Sequence, residues 1–315
     1  MAFDNLVVKA NALNNRLIKM YEAGTAEPDD VSDVMKVAYL VGPEQAGDTV
    51  YLFAPERRGW HKRARDTNEI IVDRPQIYEA VLANDDRYLV IDVALNDFKD
   101  DKIEKYDVVA RDLGTAAVTG PAIDLEELMI VADDAAALCY DGKPLFATDH
   151  PVNPSKSSSG TWANKFVKPA GLTYDTFGQV FQSFLKFPSQ TPGKVAGSQP
   201  SHLLVGPNDW IMANDICFNE KPSGLQGANN PWTKFGIQPM LVANWTRDAW
   251  MMLDARKPTK RAFVFQEREA AQMVPSGIDP NGALEWERNT LRWIVKGRSA
   301  PGYGYPQRGA LVVKS

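Results

Sequence analysis

The sequence predicts a mixed α+β fold, and three observations lead there. The 315 residues are 44% hydrophobic and 24% charged, enough chain for a substantial core without metals or disulfides. The 22 Gly and 21 Pro cut it into many short elements, so long uninterrupted helices cannot dominate. Apolar runs at helical spacing alternate with short runs of strand character, and there is no internal repeat or biased tail. At roughly 100–200 residues per domain, the length suits two domains or one elaborated domain.

The first element, residues 3–24, places Leu6, Ala10, Leu13, Leu17 and Met20 three or four apart, which predicts an amphipathic arm or docking helix ended by Gly24. An acidic, Pro-containing link follows at 27–30. Residues 35–41, 49–53 and 69–72 have strand character, and the strongly basic stretch 57–65 lies between the last two, which predicts an extended hairpin. Residues 76–112 read as another apolar helical pattern laced with Asp. Asp124, Leu125, Glu126 and Glu127 then begin a spine helix running to about Leu138, its first-turn acids favoured by the helix dipole.

Small polar residues at 153–161 predict a loop and a domain crossing. Beyond it come an aromatic-rich helix between Thr173 and Phe187, a break over 188–200, and a short buried strand at 201–205. Gly206, Pro207, Asn208 and Asp209 supply a turn and cap for a helix through Ile211, Met212 and Ile216. Strands are predicted at 240–245, 250–253 and 262–265, and a late pair at 284–295 and 310–313 flanks a turn-rich loop.

Charge and composition exclude several functions. A net charge of -5 gives no global reason for a nucleic-acid partner, although local patches still have to be read one by one. Cys139 and Cys217 are the only cysteines, which argues for a reducing environment and against a disulfide scaffold. Three histidines, His61, His150 and His202, stand apart with no H-E-x-x-H or paired C-x-x-C, so no metal site is expected. In the segment 302–309, Gln307 occupies the last glycine position of G-x-G-x-x-G. Its glycines are expected to relieve a tight turn, and no cofactor is expected. The N-terminus lacks a basic segment leading into an apolar run, and no stretch of about 18 apolar residues runs without charge. The chain reads as soluble, without an export signal or a membrane partner.

One polar cluster could carry chemistry. In Tyr140, Asp141, Lys143, Asp149 and His150, an Asp beside a His could orient an imidazole for general-base hydrolysis. There is no G-x-S-x-G elbow, and no motif links Cys139 to His150, so a packed Tyr, an Asp-Gly turn and a hydrogen-bonded loop His are the preferred reading. The hydrolase stays as an alternative.

The basic run is the strongest electrostatic feature, with five Arg/Lys in the nine positions 57–65 plus Trp60. It could track phosphates while the indole stacks on a base, which keeps a basic-loop nucleic-acid-binding protein as a second alternative. A solvated face is a third reading. Protein contact is preferred, because acids are dense from Asp85 to Asp107 and again from Asp124 onward. The subunit-interface candidates are Arg57, Arg58, Trp60, Lys62, Arg63 and Arg65. Their acidic counterparts are Asp97, Asp100, Asp101, Glu126 and Glu127. Such pairs set register and specificity more than affinity, because desolvation offsets much of the attraction. Six of the eight Trp, at 210, 232, 245, 250, 286 and 293, fall late in the chain and are read as core, with some free to sit between subunits.

Three segments carry a resemblance: Cys139-Tyr-Asp-Gly142 through Asp149-His-Pro151, Phe263-Val-Phe-Gln-Glu-Arg268, and Gly302-Tyr-Gly-Tyr305. In their order and spacing the chain resembles the Mu-like phage major head subunit family, the capsid T protein. The resemblance implies an HK97-like tailed-phage major capsid protein fold with arm, extended loop, peripheral domain and axial domain. Mapped onto this chain, it implies an arm at 1–34, an extended loop region at 35–75 with the loop itself at 46–75, and a peripheral domain at 76–150. An axial domain at 151–283 and a return to the peripheral domain at 284–315 complete it.

The implied function is a non-enzymatic shell protein in the virion, assembled in the bacterial cytoplasm as pentamers and hexamers around DNA that it touches diffusely. Implied partners are further copies of itself, a portal and a decoration protein, and the short arm implies a separate scaffold. In some related shells a Lys and an Asn on neighbouring subunits crosslink with help from an acidic residue. Lys62 is the candidate donor here, but no Asn partner can be assigned, so closure is expected to be non-covalent.

Overall fold

The computed structural model describes residues 2–27, 33–42, 50–53, 77–156, 159–189, 193–221, 229–276 and 290–314. Helix α1 spans Ala2–Thr25, and after a 3-10 turn at Asp33–Val37 strand β1 takes Ala38–Val41. Strands β2 (Val50–Phe53), β3 (Tyr78–Val81) and β4 (Asp85–Ala94) lead to the short helix α2 (Leu95–Lys99) and the spine helix α3 (Glu104–Ile130). Then come β5 (His150–Pro151), β6 (Thr161–Trp162), β7 (Lys165–Val167), α4 (Tyr174–Leu185), β8 (His202–Val205) and α5 (Trp210–Phe218). The chain finishes with β9 (Gln238–Leu241), β10 (Ala249–Leu253), β11 (Phe263–Ser276), β12 (Thr290–Tyr303) and β13 (Gly309–Val313).

Two sheets organise these elements. One has the order β1-β11-β12-β4, the other β7-β13-β10-β8-β9. In the first, β1 runs parallel to β11 and the rest is antiparallel. The chain visits the first sheet, then the second, returns to the first and ends in the second. The return, predicted at 284, comes at Phe263, because the whole of β11 pairs with β12. The last strand, expected to rejoin the first part, instead hydrogen-bonds β10 on one side and β7 on the other.

The second sheet is buried on both faces, and its side chains divide by strict alternation. Ala249, Met251 and Leu253 of β10 face a core shared with Leu125 and Met129 of α3, whereas Trp250 and Met252 face a core built by Phe177, Phe181 and Phe184 of α4. Leu204 and Leu311 follow the first set, Leu203, Val205 and Val312 the second. α4 starts on a local signal: Thr173 accepts from the Thr176 amide while the Thr176 hydroxyl accepts from the Thr173 amide, a reciprocal cap.

The first sheet uses one face for the third core. Ile91 and Val93 of β4 and Leu291, Trp293 and Val295 of β12 pack there with Ala10, Leu13, Leu17 and Tyr21 of α1. The expected arm helix therefore exists, but it lies docked on its own subunit. α1 and α3 run side by side in the same direction, with Lys9 paired to Asp101 and Arg16 to Asp107. Where they meet, a Cβ on Gly114 would lie 2.1 Å from the Tyr21 carbonyl oxygen, and one on Gly24 2.0 Å from that of Arg111. Only glycine lets the two backbones approach so closely.

Two elements depart from the sequence expectation. Residues 85–94, read as helical, form a ten-residue strand. Leu89, Ile91 and Val93 point inward while Val90 and Asp92 point out, a period of two that the flanking Asp residues obscured. The spine helix begins at Glu104, well before the expected Asp124, and ends at Ile130. Gly120 and Pro121 precede the expected start, yet Pro121 sits inside the helix. Burial of Ala122, Leu125 and Met129 on the following turns offsets an interior proline, which costs about 3 kcal/mol.

Candidate assembly surfaces

The β2–β3 ladder, Val50↔Val81 to Phe53↔Tyr78, pairs with no other strand among the described residues. Residues 54–77 connect its two strands. Arg57, Arg58, Trp60, Lys62, Arg63 and Arg65 all belong to that connection and lie outside the described residues, as does the expected strand at 69–72.

What the structure defines is the root of the ladder, an aromatic clamp. Phe53 stacks on Tyr140 at 5.3 Å between centroids and meets Tyr305 edge-on at 5.3 Å, while Tyr78 lies 5.4 Å from Tyr140. The Tyr78 hydroxyl shares a 3.0 Å hydrogen bond with Ser155 Oγ, and Lys260 Nζ sits 5.6 Å from the Tyr305 ring centre. Tyr140 and Tyr305 belong to two of the segments that carry the family resemblance, and their role here is to seat this ladder. Sequence reasoning missed the clamp. The available signal was an aromatic residue on each side of the charged connection, Phe53 and Tyr78.

The segment around Gly302 is not a tight turn. Neither Gly302 nor Gly304 takes a left-handed backbone. A Cβ on Gly304 would lie 2.3 Å from the Arg261 carbonyl oxygen, so close approach is what requires glycine there.

The acidic candidates separate into two kinds. Asp97 accepts from Lys105 Nζ at 2.6 Å and from the Tyr106 hydroxyl at 2.7 Å, and these bonds hold its carboxyl below the usual range. Asp100 pairs with Lys102 and Asp101 with Lys9, each at 3.3 Å, so these charges are matched within the subunit. Glu127 is exposed and has no ion-pair partner among the described residues. Glu126 has to be removed from the acidic surface. It shares the inner stripe of α3 with Ala122, Leu125 and Met129 and is fully buried, with Oε2 accepting from Asn244 Nδ2 at 2.9 Å. Along β4 the acids are matched as well: Asp92 and Asp86 stand directly opposite Arg292 and Arg298 of β12 and pair with them at 2.6 and 2.9 Å.

The 139–150 cluster is structural. His150 is fully buried, its Nδ1–H donating to Asp141 at 2.7 Å. Nε2 faces the Leu145 carbonyl at 3.2 Å and Asn164 Oδ1 at 3.1 Å. Asn164 Nδ2 donates to the Leu145 and Pro306 carbonyls, and its Oδ1 accepts from the Ala147 amide. Both ring nitrogens are thus committed to protein oxygens, and none is directed at a substrate. Cys139 is buried, and desolvation pushes its thiol well above the ordinary value. The hydrolase reading fails on this geometry.

One ion cluster ties the C-terminal end of α3 to the second sheet. Asp133, just beyond α3, is bound by Arg247 from the β9–β10 connection and by Lys165 of β7, the latter at 2.8 Å. Arg247 Nη1 also donates to the Ile130 carbonyl at 2.5 Å, which places a cation at the negative end of the helix. Burial alone would raise the Asp133 carboxyl, but the two cations overcome it and hold it at about 2. Among the described residues no group of three or more His, Cys, Asp or Glu is placed to hold a metal, and no helix is long and apolar enough to cross a membrane.

A spine helix laid on one sheet, a second sheet with its own helices and a clamped two-stranded extension together define the architecture of a shell subunit with the HK97-like capsid fold. Solved structures agree. A procapsid subunit of bacteriophage JBD30 is 18% identical, with a TM-score of 0.55 over 97% of this chain and 75% of that one. The mature capsid of bacteriophage PhiM1 gives 11% identity and a TM-score of 0.55 over 91% and 88%. A virus-like particle from Pyrococcus furiosus gives 9% identity and 0.51 over 95% and 98%. No curated protein matches the chain by sequence. The model of the Mu-like prophage major head subunit gpT family matches residues 72–177 and 236–314, more than half of the sequence. The chain belongs to that family.

Proposed function

We propose that many copies of this chain form pentamers and hexamers and close a shell around phage or prophage DNA. The four-stranded sheet with α1 and α3 serves as the peripheral part, the five-stranded sheet with α4 and α5 as the axial part, and residues 54–77 as the extended loop. The observation that carries this reading is the β2–β3 ladder, which is joined to no other strand among the described residues yet clamped to the body by four rings. Its connection bears five Arg/Lys and Trp60. Repeated across many copies, contacts made by such a loop become collectively strong although each is weak. Exposed acids such as Glu127 offer it a counter-charge on a neighbour. With a net charge of -5 the chain holds DNA only diffusely. Scaffold, portal and decoration proteins are its proposed further partners.

Electron microscopy of the purified chain tests this. Closed shells or capsomers are expected, whereas monodisperse monomers that bind duplex tightly and lose it with salt would favour the nucleic-acid reading. Boiled in detergent, the shells should run as single chains; a covalent ladder would overturn non-covalent closure.

A further inference from the structure

The sheet edges of this subunit are not alike. β1 is a four-residue edge, and the five-stranded sheet ends in the three-residue β7 and in the four-residue β9, which carries Pro239. β4, the remaining edge, is ten residues long, and β12 is its only partner strand among the described residues. Edges of that length are ordinarily blunted by a lysine, a proline or a bulge, because a row of open N–H and C=O groups is a template for another strand. β4 contains no Lys, Pro or Gly, and its register with β12 runs from Asp85↔Ser299 to Ala94↔Thr290 without a shift.

Only the end of the strand is capped, where the Ala94 amide donates to the Tyr106 hydroxyl at 3.2 Å. Nor does charge protect the edge. Asp86 and Asp92 are matched by Arg298 and Arg292 of β12 at 2.9 and 2.6 Å, and Arg87 is matched by Asp124 of α3 at 3.2 Å. Between the two acids, on the face away from α1 and α3, Tyr88 and Val90 stand in water, 72% and 39% exposed. A strand that fits here must have an open side of its own and comparable length. Among the described residues every other strand longer than five residues is paired on both sides, so β4 itself is the match.

Resting on the shell reading above, we propose that the occupant of this edge is β4 of a second copy, antiparallel about a twofold axis at Leu89, so that two four-stranded sheets become one of eight. Tyr88 of each copy then lies directly across from Val90 of the other, an aromatic and β-branched pair of the kind that stabilises a sheet. Leu89 meets its own counterpart on the covered face. Asp86 falls across from the other copy's Asp92, but each of these acids already holds an arginine of its own β12. Because both copies use the same residues, the contact is isologous and closes at two subunits. It cannot build a five- or six-membered ring, and therefore joins a subunit of one ring to a subunit of the next.

The test uses the full-length chain, with folding checked by thermal melting and assembly by sedimentation and electron microscopy. Tyr88→Lys changes a side chain that is 72% exposed and puts on the edge a residue that natural edges use, so the subunit should melt as wild type. Its rings should form, but closing them into shells should need about tenfold more protein, because the cross-strand pairs are lost at every junction. A second variant reads the register. With Tyr88→Cys and Val90→Cys together, diamide should join two chains within assembled shells and give a thiol-reversible dimer on a denaturing gel, whereas wild type gives none because Cys139 and Cys217 are buried. Shells of Tyr88→Lys that close as readily as wild type, or double-cysteine shells that yield no dimer, would overturn the edge pairing and leave the shell reading standing. A wild-type chain that never assembles would overturn the shell reading, and the edge pairing with it.

Discussion

The two sheets bury apolar surface by different rules. All five residues of β10 in the five-stranded sheet are buried, alternate ones serving different cores, and helices cover both faces. In the four-stranded sheet, β4 and β12 send Ile91, Val93 and Trp293 to one core while Tyr88 stands 72% exposed on the other side. A sheet covered twice reads in sequence as an unbroken apolar run and carries stability, whereas a sheet covered once reads as an alternation and keeps a face for other contacts. β10 was legible from its apolar run, whereas the alternation of β4 was obscured by its flanking Asp residues.

That contrast can be broken most sharply at Trp250. Trp250→Ala should cost about 3–5 kcal/mol, because the indole fills a core closed from both sides, and denaturant titration would show it as a lower midpoint with an unchanged slope. The next largest effect is expected where the singly covered sheet receives α1. Gly114→Ala places a Cβ 2.1 Å from the Tyr21 carbonyl oxygen and should cost about 1–3 kcal/mol, with early proteolytic loss of the N-terminal helix.

Acid probes the bridge between α3 and the second sheet. Folded Asp133 ionises at about 2 against an ordinary 3.8, so its ion pairs stabilise fully above about pH 4. That stabilisation, about 1–2 kcal/mol, is lost as pH falls through 3.8 toward 2. Asp133→Asn should flatten the pH dependence of the melting temperature in that window, and an unchanged slope would remove the bridge from the account. The smallest effect is expected at Tyr88, where Tyr88→Ser should shift stability by no more than about 0.5 kcal/mol. A larger loss would mean that the outer face of the first sheet is not free.

Legibility followed the range of the forces involved. The helix that follows Thr173, the turn from Gly206 to Asp209 and the run 250–253 rest on signals within a few residues and could be read directly. The aromatic clamp could not, because Phe53, Tyr78, Tyr140 and Tyr305 come from three separated parts of the chain. Glu126 looked like one more surface acid in an acidic run, and only the placement of α3 shows that it lies on the buried stripe. Asp141 and His150 were correctly grouped, but their meaning depended on Asn164 and two backbone carbonyls that close off the other ring nitrogen.

The sequence by itself determined the mixed α+β class, the existence of most elements and, through three short segments, the family. Periodicity, capping and turn chemistry are local, and a motif survives as a string. The tertiary structure alone decided which sheet each strand joins: β1 pairs with β11 across more than two hundred residues, and β13 leaves its sequence neighbour β12 for the other sheet. It also decided that the N-terminal helix is docked and that the 139–150 cluster is sealed. Pairing and burial are settled by which surfaces meet once the chain has closed on itself, and no window of sequence contains both sides of such a contact.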